Sequence, residues 1–282
     1  MRSGKYYRRS LGEIKMLEEN FTDFNRWVEQ KYHIHLDDYK ERQMQRRIKN
    51  IMDKNKVNSL HEYEHLLDKD PIKRAEFIEH LTINVTEFYR NQEIFNNFEK
   101  CLLEKVAPQF NNLKLWSAAC STGAEPYTLA MILEKNHLMG NVLATDIDDD
   151  ILKKARLGQY STNELKNVSD TDVRRYFKSL GPDQYQVGPA VKQRVSFKKH
   201  DLLADRYESG FHAIICRNVT IYFKPEARDR VYQKISEALV PGGILFTGAT
   251  ETLNSAEKLG LKKIESFIYE KQGGEMRSEA KH

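Results

Sequence analysis

The sequence predicts an α/β protein in which a doubly wound, mostly parallel sheet follows a small helical domain. From residue 113 onward, apolar strand-like runs alternate with amphipathic helical segments. Over residues 14–81, by contrast, apolar residues recur only every three or four positions, as they do in helices. These two observations divide the chain into a helical domain, residues 1–90, and a sheet-containing domain, residues 91–282.

The predicted elements of the second domain follow one another as βα units. Strand LKLWS, helix EPYTLAMILEKN, strand NVLATDID and helix DILKKARLGQY come first. Residues 174–200 contain short strand-like runs separated by Gly-Pro turns, which predicts an inserted antiparallel β subdomain. The main sheet then resumes with strand FHAIIC, helix PEARDRVYQKISEAL, strand ILFTGA and a final strand around FIYEK.

Composition excludes several classes of protein. Apolar residues make up 40% of the 282 residues, and no apolar run is long enough to span a membrane. The basic N-terminus is not followed by an apolar signal segment, so we expect a cytoplasmic protein without membrane insertion. Three cysteines do not make a disulfide framework, and a net charge of +4 does not by itself indicate nucleic acid. Residues 1–13 and 272–282 are predicted to be disordered.

One helix of the N-terminal domain has two opposed faces. Between residues 40 and 52, apolar residues at spacings of four and three share one face, and basic residues share the opposite face. The basic residues are Arg42, Arg46 and Lys49. Such a face is either simply solvated or a docking surface for an acidic partner, and the pattern alone leaves both open.

A second helix of this domain contains the run HEYEH, residues 61–65, which matches the HExxH pattern of zinc proteases. The longer metzincin pattern fails, because Asp68 and Ile72 stand where its glycine and third histidine would be. Chance matches are frequent in helices rich in glutamate and histidine. We therefore predict no metal site.

The stretch from Leu113 to Tyr127 is the most informative part of the second domain. A short strand is followed by eight small residues, among which Gly123 is the only glycine, and then by Glu125 at a helix start. This arrangement lets backbone N–H groups approach a ligand closely. A packed strand-to-helix turn, or a reactive thiol at Cys120, would use the same residues.

Two further strands end in polar residues. Asp146 ends the second strand, where an acidic residue either accepts hydrogen bonds from ribose hydroxyls or caps the next helix. Arg217 and Asn218 end a later buried strand, and open α/β sheets bind ligands at such ends. The sequence has neither a GxGxxG motif nor a P-loop, which favours a nucleoside ligand without phosphates, such as S-adenosylmethionine.

Over roughly residues 20–271, six segments resemble, in order, the motifs of the CheR family of chemotaxis-receptor glutamate O-methyltransferases. These segments are TINVTEFYRN, LWSAACSTGAEPY, ATDID, FKKHDLLAD, CRNVTIYF and LFTGATE. The resemblance implies a class I methyltransferase fold with a helical N-terminal domain and a small antiparallel subdomain. It also implies S-adenosylmethionine as cofactor, S-adenosylhomocysteine as product, and the cytoplasmic helical bundle of methyl-accepting chemotaxis receptors as partner. We expect a monomer that does not bind nucleic acid.

The same resemblance implies roles for individual residues. Arg90 and Tyr222 would stand near the transferred methyl group as catalytic residues. The cofactor-binding residues that it implies are Asn84, Thr86, Arg90, Glu125, Asp146, Asp201, Leu202, Arg217 and Asn218. The basic face of Arg42, Arg46 and Lys49 would dock on the acidic receptor bundle.

The sequence departs from the family pattern in three places. Ala124 replaces the first of two glutamates, but Glu125, the one with the cofactor role, is kept. Asp201 replaces an asparagine, and a carboxylate there still accepts a hydrogen bond from the adenine amino group. Thr220 replaces an apolar residue, and the sequence does not explain it.

Two rival functions use the same features. A nucleic-acid methyltransferase would explain the basic helix, but the sequence has neither the Asn/Asp-Pro-Pro-Tyr motif nor the Pro-Cys motif of such enzymes. A non-catalytic module that binds the cofactor and signals through its helical domain is the second rival, and the presence of Arg90, Glu125, Asp146 and Tyr222 argues against it.

Overall fold

The structure is a computed structural model that describes residues 11–82, 86–251, 253 and 256–273. The chain divides into two compact units between residues 81 and 82, whereas the sequence-based boundary was residue 90. Of the ends predicted to be disordered, residues 1–10 and 274–282 lie outside the described residues. Residues 11–13 belong to the first helix.

The first unit is helical, as predicted. Its helices are α1 (Leu11–Tyr32), α2 (Glu41–Lys54), α3 (Leu60–Lys69) and α4 (Pro71–Thr82), with a 3₁₀ turn at Leu36–Asp38. The rings of Phe24, Tyr63 and Phe77 form the centre of its core, with centroids 5.7 to 6.2 Å apart. Ser59 begins α3 by accepting a hydrogen bond from the backbone N–H of Glu62 at 3.2 Å.

Helix α2 has the two faces that its sequence predicts. Four apolar side chains, Met44, Ile48, Ile51 and Met52, are buried. Arg42 and Arg46 are exposed and, among the described residues, pair with no carboxylate, while Lys49 is half-buried. The ammonium group of Lys49 lies 5.9 Å from the ring centroid of Phe21. Within the basic face, the exposed charge therefore comes mainly from two guanidinium groups.

The two histidines of the HEYEH run share one face of α3. The His61 and His65 rings are 4.6 Å apart, and His61 Nδ1 lies 3.5 Å from a carboxylate oxygen of Glu64. Across the described part of the chain, no group of three histidine, cysteine or acidic side chains is placed to hold a metal ion. None of the described helices has the length and apolar character needed to cross a bilayer.

The second unit contains a seven-stranded, mostly parallel sheet, as predicted. Its strands are β1 (Leu113–Ala118), β2 (Gly140–Asp146), β6 (Val195–Lys199), β7 (Phe211–Cys216), β8 (Leu239–Thr247), β9 (Leu261–Glu265) and β10 (Ile268–Lys271). Their order is β6-β2-β1-β7-β8-β10-β9. The first five are parallel, and β10 and β9 are antiparallel to their neighbours.

Six helices lie in the described part of this unit, and several of them pack against the seven-stranded sheet. They are α5 (Gln92–Cys101), α6 (Ala124–Lys135), α7 (Asp149–Leu157), α8 (Asp170–Tyr176), α9 (Pro189–Lys192) and α10 (Pro225–Ala238), and α5 continues as a π-helical turn over Leu102–Val106. Helix α6 is almost entirely buried, which explains its near-continuous apolar sequence. Phe98 of α5 stacks on Phe246 of β8 with centroids 4.9 Å apart, and this contact joins the helix to the sheet.

The antiparallel subdomain is present, but its predicted composition was wrong. It consists of β3 (Gln159–Ser161), β4 (Phe177–Gly181) and β5 (Gln184–Val187), in the order β3-β5-β4. Strand β6, placed in the insertion by its sequence, pairs in parallel with β2 in the main sheet. Because β6 is an edge strand, it is only partly covered. Its side chains therefore alternate in burial like those of an antiparallel strand.

The register of the parallel strands brings their carboxyl ends to one place. Ala118 at the end of β1 lies beside Thr145 of β2 on one side and Cys216 of β7 on the other. The residues that follow these three strands therefore meet at one edge of the sheet.

Candidate functional site

The loop after β1 owes its shape to left-handed backbone conformations. Ala119 and Ser121 have φ values of 65° and 51°, and Gly123 has φ 90°. A Cβ atom added to Gly123 would lie 3.0 Å from the Cβ of Ala155 and 3.1 Å from the hydroxyl of Tyr160. Glycine is therefore required for close packing as well as for its φ. Non-glycine residues in this conformation are strained, and such strain is concentrated at functional sites.

Asp146, at the end of β2, fastens this loop. Its carboxylate accepts the backbone N–H of Ser121 at 2.8 Å and that of Asp148 at 3.1 Å. Burial raises the pKa of Asp146 to about 6, although these backbone N–H groups lower it. The cap of α7 is Asp148, which accepts the N–H groups of Asp150 and Ile151. Asp146 is thus not the helix cap, the alternative that the sequence left open.

Glu125, at the start of α6, forms a buried ion pair. It accepts the hydroxyl of Ser117 at 2.7 Å, and its other oxygen lies 3.6 Å from Nη1 of Arg217. Burial raises the pKa of Glu125, and Arg217 and Ser117 oppose that rise. Burial likewise lowers the pKa of Arg217, and Glu125 opposes this change. The sequence gave no sign of this pair, because its members are 92 positions apart.

Arg217 also connects the β7 end to the segment before α5. Its Nη2 donates to the carbonyl oxygen of Arg90 and to Oδ1 of Asn91, both at 3.0 Å. Its guanidinium carbon lies 4.7 Å from the centroid of Phe246, a cation–π geometry. The backbone of Arg90 is thereby attached to the same edge of the sheet as Glu125.

Three buried polar atoms around these loops have no hydrogen-bond partner among the described residues: Ser121 Oγ, Asn218 Oδ1 and Arg217 Nε. A buried polar atom without a partner is costly unless a ligand or water satisfies it. Two such atoms follow β7 and the third follows β1. They fit a polar ligand at this edge.

An aromatic cluster supports the residues that follow β6. Trp116 donates its indole N–H to the hydroxyl of Thr145 at 2.9 Å, and its ring packs edge-on against His200 and Tyr207. Tyr207 in turn donates to the carbonyl oxygen of Leu202 at 2.7 Å. Leu202 is buried, and the backbone N–H of His200 donates to the carbonyl of Asp146 at 2.9 Å. The β6 end therefore lies beside the β2 end.

The remaining predicted site residues differ in how they are placed. Asp201 accepts the N–H of Leu203 at 2.8 Å within its own loop. Tyr222 is half-buried at the end of a 3₁₀ turn, Thr220–Tyr222. Thr86 is half-buried, and Asn84 lies outside the described residues.

Two further residues near this site, Cys120 and Glu251, have informative surroundings. Cys120 is buried, and both burial and the neighbouring carboxylate of Asp146 raise the pKa of its thiol, which opposes a nucleophilic role. Glu251, in the LFTGATE segment, was given no role by the sequence, yet its carboxylate is buried beside the residues that follow β7. The sequence did contain a signal for Glu251, because it is an acidic residue just beyond the carboxyl end of a strand.

This fold and site define the class. A five-strand parallel core continued by two antiparallel strands, with acidic and polar residues at the carboxyl ends of β1, β2 and β7, is that of a class I S-adenosylmethionine-dependent methyltransferase.

Family models identify the chain further. Residues 84–268 match the model described as CheR methyltransferase, SAM binding domain, and residues 19–82 match the CheR methyltransferase all-alpha domain. The chain belongs to the CheR methyltransferase family, as its motifs predicted.

Curated relatives agree with this assignment. A chemotaxis protein methyltransferase of Listeria monocytogenes is 39% identical over 91% of this chain and 98% of its own length. Its counterpart in Listeria innocua is 38% identical over the same shares. One from Pseudomonas putida is 33% identical over 83% of this chain and 90% of its own.

The match to a solved glycopeptide N-methyltransferase, MtfA with S-adenosylmethionine, covers 57% of this chain and 50% of the MtfA chain. It is 15% identical, and its TM-score of 0.36 adds nothing to the assignment.

Proposed function

We propose that this methyltransferase modifies glutamate side chains in the cytoplasmic helical bundle of methyl-accepting chemotaxis receptors. It would form glutamate methyl esters and S-adenosylhomocysteine, for adaptation in bacterial chemotaxis. Family membership and the names of the relatives support this substrate. The observation that carries the proposal is a pair of largely buried carboxylates, Glu125 at the start of α6 and Asp146 at the end of the neighbouring strand β2.

The residues present fit S-adenosylmethionine. When bound, this cofactor supplies a methyl group on a positively charged sulfur. Two buried carboxylates favour such a cation electrostatically, and the buried atoms without partners offer further polar contacts. In this proposal Asp146 accepts hydrogen bonds from the ribose hydroxyls, and Glu125 contacts the methionine or ribose part.

The other proposed contacts surround these two carboxylates. Asp201 and Leu202, beside the Asp146 strand end, flank the adenine. Arg217 and Asn218 line the pocket after β7, with Asn218 Oδ1 available to a donor on the ligand. Asn84 and Thr86 contact the cofactor from the segment before α5.

The proposed chemistry does not require a general base. A glutamate side chain in water has a pKa of about 4.3, so the nucleophile is already an anion at neutral pH. The protein then accelerates transfer by aligning the carboxylate with the methyl group and by excluding water. We propose that Arg90 orients the incoming carboxylate and that Tyr222 bounds the path of the methyl group.

The basic face of α2 is the proposed docking surface. Arg42 and Arg46 are exposed and, within the described chain, unpaired, so they can form charge-assisted hydrogen bonds with a partner's carboxylates. Lys49 adds a third positive charge beside them. An acidic helical bundle fits this face better than nucleic acid, because the substrate itself is a carboxylate. We propose that the enzyme acts in the cytoplasm as a monomer and without nucleic acid.

One assay tests the substrate. The protein is incubated with methyl-labelled S-adenosylmethionine and purified cytoplasmic domains of chemoreceptors, and separately with RNA. We expect base-labile label on receptor glutamates and none on RNA. Label on RNA would support a nucleic-acid methyltransferase, and cofactor binding without transfer to any receptor would support a non-catalytic module.

A further inference from the structure

The turn that follows β7 is held by a single buried carboxylate, that of Glu251. Only 3% of this residue is exposed. One oxygen accepts the backbone N–H groups of Asn218 at 2.6 Å and Gly248 at 2.8 Å. The other accepts the N–H groups of Val219 at 3.0 Å and Thr220 at 2.8 Å. The hydroxyl of Thr220 donates the fifth hydrogen bond, also at 2.8 Å. We refer to Glu251 and these donors as the Glu251 cluster.

The geometry around the cluster shows how closely the two chain segments approach. A Cβ atom added to Gly248 would collide with Oε2 of Glu251 and would lie 3.0 Å from the backbone nitrogen of Asn218. Asn218 itself has a left-handed φ of 59°. Asparagine is one of the few residues besides glycine that adopt this conformation readily, and the hydrogen bonds to the carboxylate hold the turn in it.

The turn held in this way carries residues that the proposed site uses. Arg217 comes directly before it, with its guanidinium against Glu125 and the Arg90 carbonyl. Asn218 lies within it, and Tyr222 ends the 3₁₀ turn that begins at Thr220. Glu251 touches none of the proposed reacting groups, yet it fixes the backbone from which they extend.

We infer that Glu251 is a positioning residue for cofactor binding and methyl transfer, acting through the turn from Arg217 to Tyr222. This inference rests on the proposed function. It also explains Thr220, the unexplained departure from the family pattern. The Thr220 hydroxyl reaches Glu251 and lies 2.8 Å from the hydroxyl of Tyr232, so it is a buried polar group with two partners.

Substitution of Glu251 by glutamine is the most direct test. Both carboxylate oxygens face only donors, so an amide NH₂ in either orientation would point at N–H groups. We expect Glu251→Gln to weaken S-adenosylhomocysteine binding by about tenfold or more, the loss associated with one charge-assisted hydrogen bond. The turnover number with receptor domains should fall as well, because Arg90 and Tyr222 are displaced.

The measurements separate positioning from mere stability. Titration calorimetry with S-adenosylhomocysteine and steady-state kinetics are done well below the thermal midpoint of each variant. Glu257→Gln, an exposed residue, is the matched control and should behave like the wild type. Folded Glu251→Gln with wild-type affinity and turnover, even with a lower thermal midpoint, would overturn the inference.

A second variant keeps the test decisive if Glu251→Gln does not fold. Thr220→Val preserves shape but removes one of the five donors, and should weaken S-adenosylhomocysteine binding about threefold. In a folded double variant with Glu251→Gln, this effect should disappear, since its acceptor has changed. Unchanged affinity in Thr220→Val would count against the inference.

The binding measurement also distinguishes this inference from the proposed substrate. If the wild type binds S-adenosylhomocysteine but methylates no receptor, the substrate is wrong and the Glu251 comparison still applies. If the wild type does both and Glu251→Gln equals it, only the positioning role fails.

Discussion

The charged residues of the two units are used in opposite ways. At the strand ends of the second unit, Glu125, Asp146 and Arg217 are buried, and each has defined partners that oppose the effect of burial on its pKa. On α2 of the first unit, Arg42 and Arg46 extend into solvent and, among the described residues, have no carboxylate partner.

In the proposed function, this difference separates selection of the cofactor from selection of the protein substrate. Buried charges act at short range in a low dielectric, so each removal should be costly and insensitive to salt. Exposed charges interact through water, where the dielectric constant is high and salt screens them. Four predictions, from the largest effect to the smallest, test that division.

The largest effect is expected from Arg217→Met, which leaves Glu125 buried without its cation. Breaking a buried pair from one side costs about 3–5 kcal/mol of folding stability, so the thermal midpoint should fall. Because Glu125 is a proposed cofactor contact, its displacement should also lower S-adenosylhomocysteine affinity at pH 8 by about 100-fold, the upper range for one charged hydrogen bond. The loss should shrink as the pH is lowered, because burial raises the pKa of Glu125 and a protonated carboxyl needs no cation. Calorimetry over a series of pH values measures this. Arg228→Met, which removes a more exposed pair with Asp229, is the control and should bind normally.

Next come the two residues proposed to stand near the methyl group. Arg90→Ala should lower the turnover number with receptor domains by about 10- to 100-fold, because the carboxylate is no longer oriented. Tyr222→Phe keeps the aromatic ring, so its effect on the turnover number should be about tenfold smaller than that of Arg90→Ala. Steady-state kinetics and calorimetry measure turnover and cofactor affinity separately. Wild-type values of both in the two variants would remove these residues from the mechanism.

A smaller effect concerns the pH dependence of binding. Burial raises the pKa of Asp146 to about 6, so this carboxyl is largely protonated at pH 5 and ionised at pH 7. Ribose hydroxyls donate best to the ionised form. S-adenosylhomocysteine affinity should therefore rise as pH increases through 6, by about tenfold at most for each pH unit.

In Asp146→Asn that rise should be reduced, because the group that titrates near pH 6 has been removed. Calorimetry from pH 5 to 8, with thermal unfolding at each pH as the control, decides the matter. A slope unaltered by the substitution would assign the titration to another group.

The smallest effect is expected on the exposed face. Arg46→Glu should raise the KM for receptor domains about three- to tenfold at low salt, and the difference should shrink as salt is added. Cofactor affinity should not change. Lys69→Glu, at an exposed site on α3, is the matched charge reversal. Equal KM values for the two variants would separate α2 from receptor docking.

The sequence predicted the fold well because periodicity encodes burial. Helix α6 and strands β1, β2 and β7 were recognised from apolar runs of the right length, and each is almost fully buried. Strand β6 was misassigned and β9 was missed, and both lie at edges of the sheet where only part of each strand is covered. Edge strands carry a weaker pattern because fewer of their side chains face the core.

The site was predicted as a set of residues but not as a set of contacts. Asp146 and Arg217 could be placed at strand ends, because each follows an apolar run that stops at a polar residue. The pairing of Glu125 with Arg217 and the five bonds to Glu251 join segments distant in sequence, and only the assembled sheet brings them together. Family motifs supplied the remaining residues, including Asn84, for which no described geometry exists.

The position of Glu251 along the chain has a consequence for biosynthesis. A nascent chain that has emerged only as far as β8 already contains Glu125, Asp146 and Arg217, but the turn after β7 has no acceptor for its N–H groups. Synthesis of the next four residues supplies that carboxylate. If Glu251 positions this turn, full affinity for the cofactor should thus arise late, after most of the sheet has been translated.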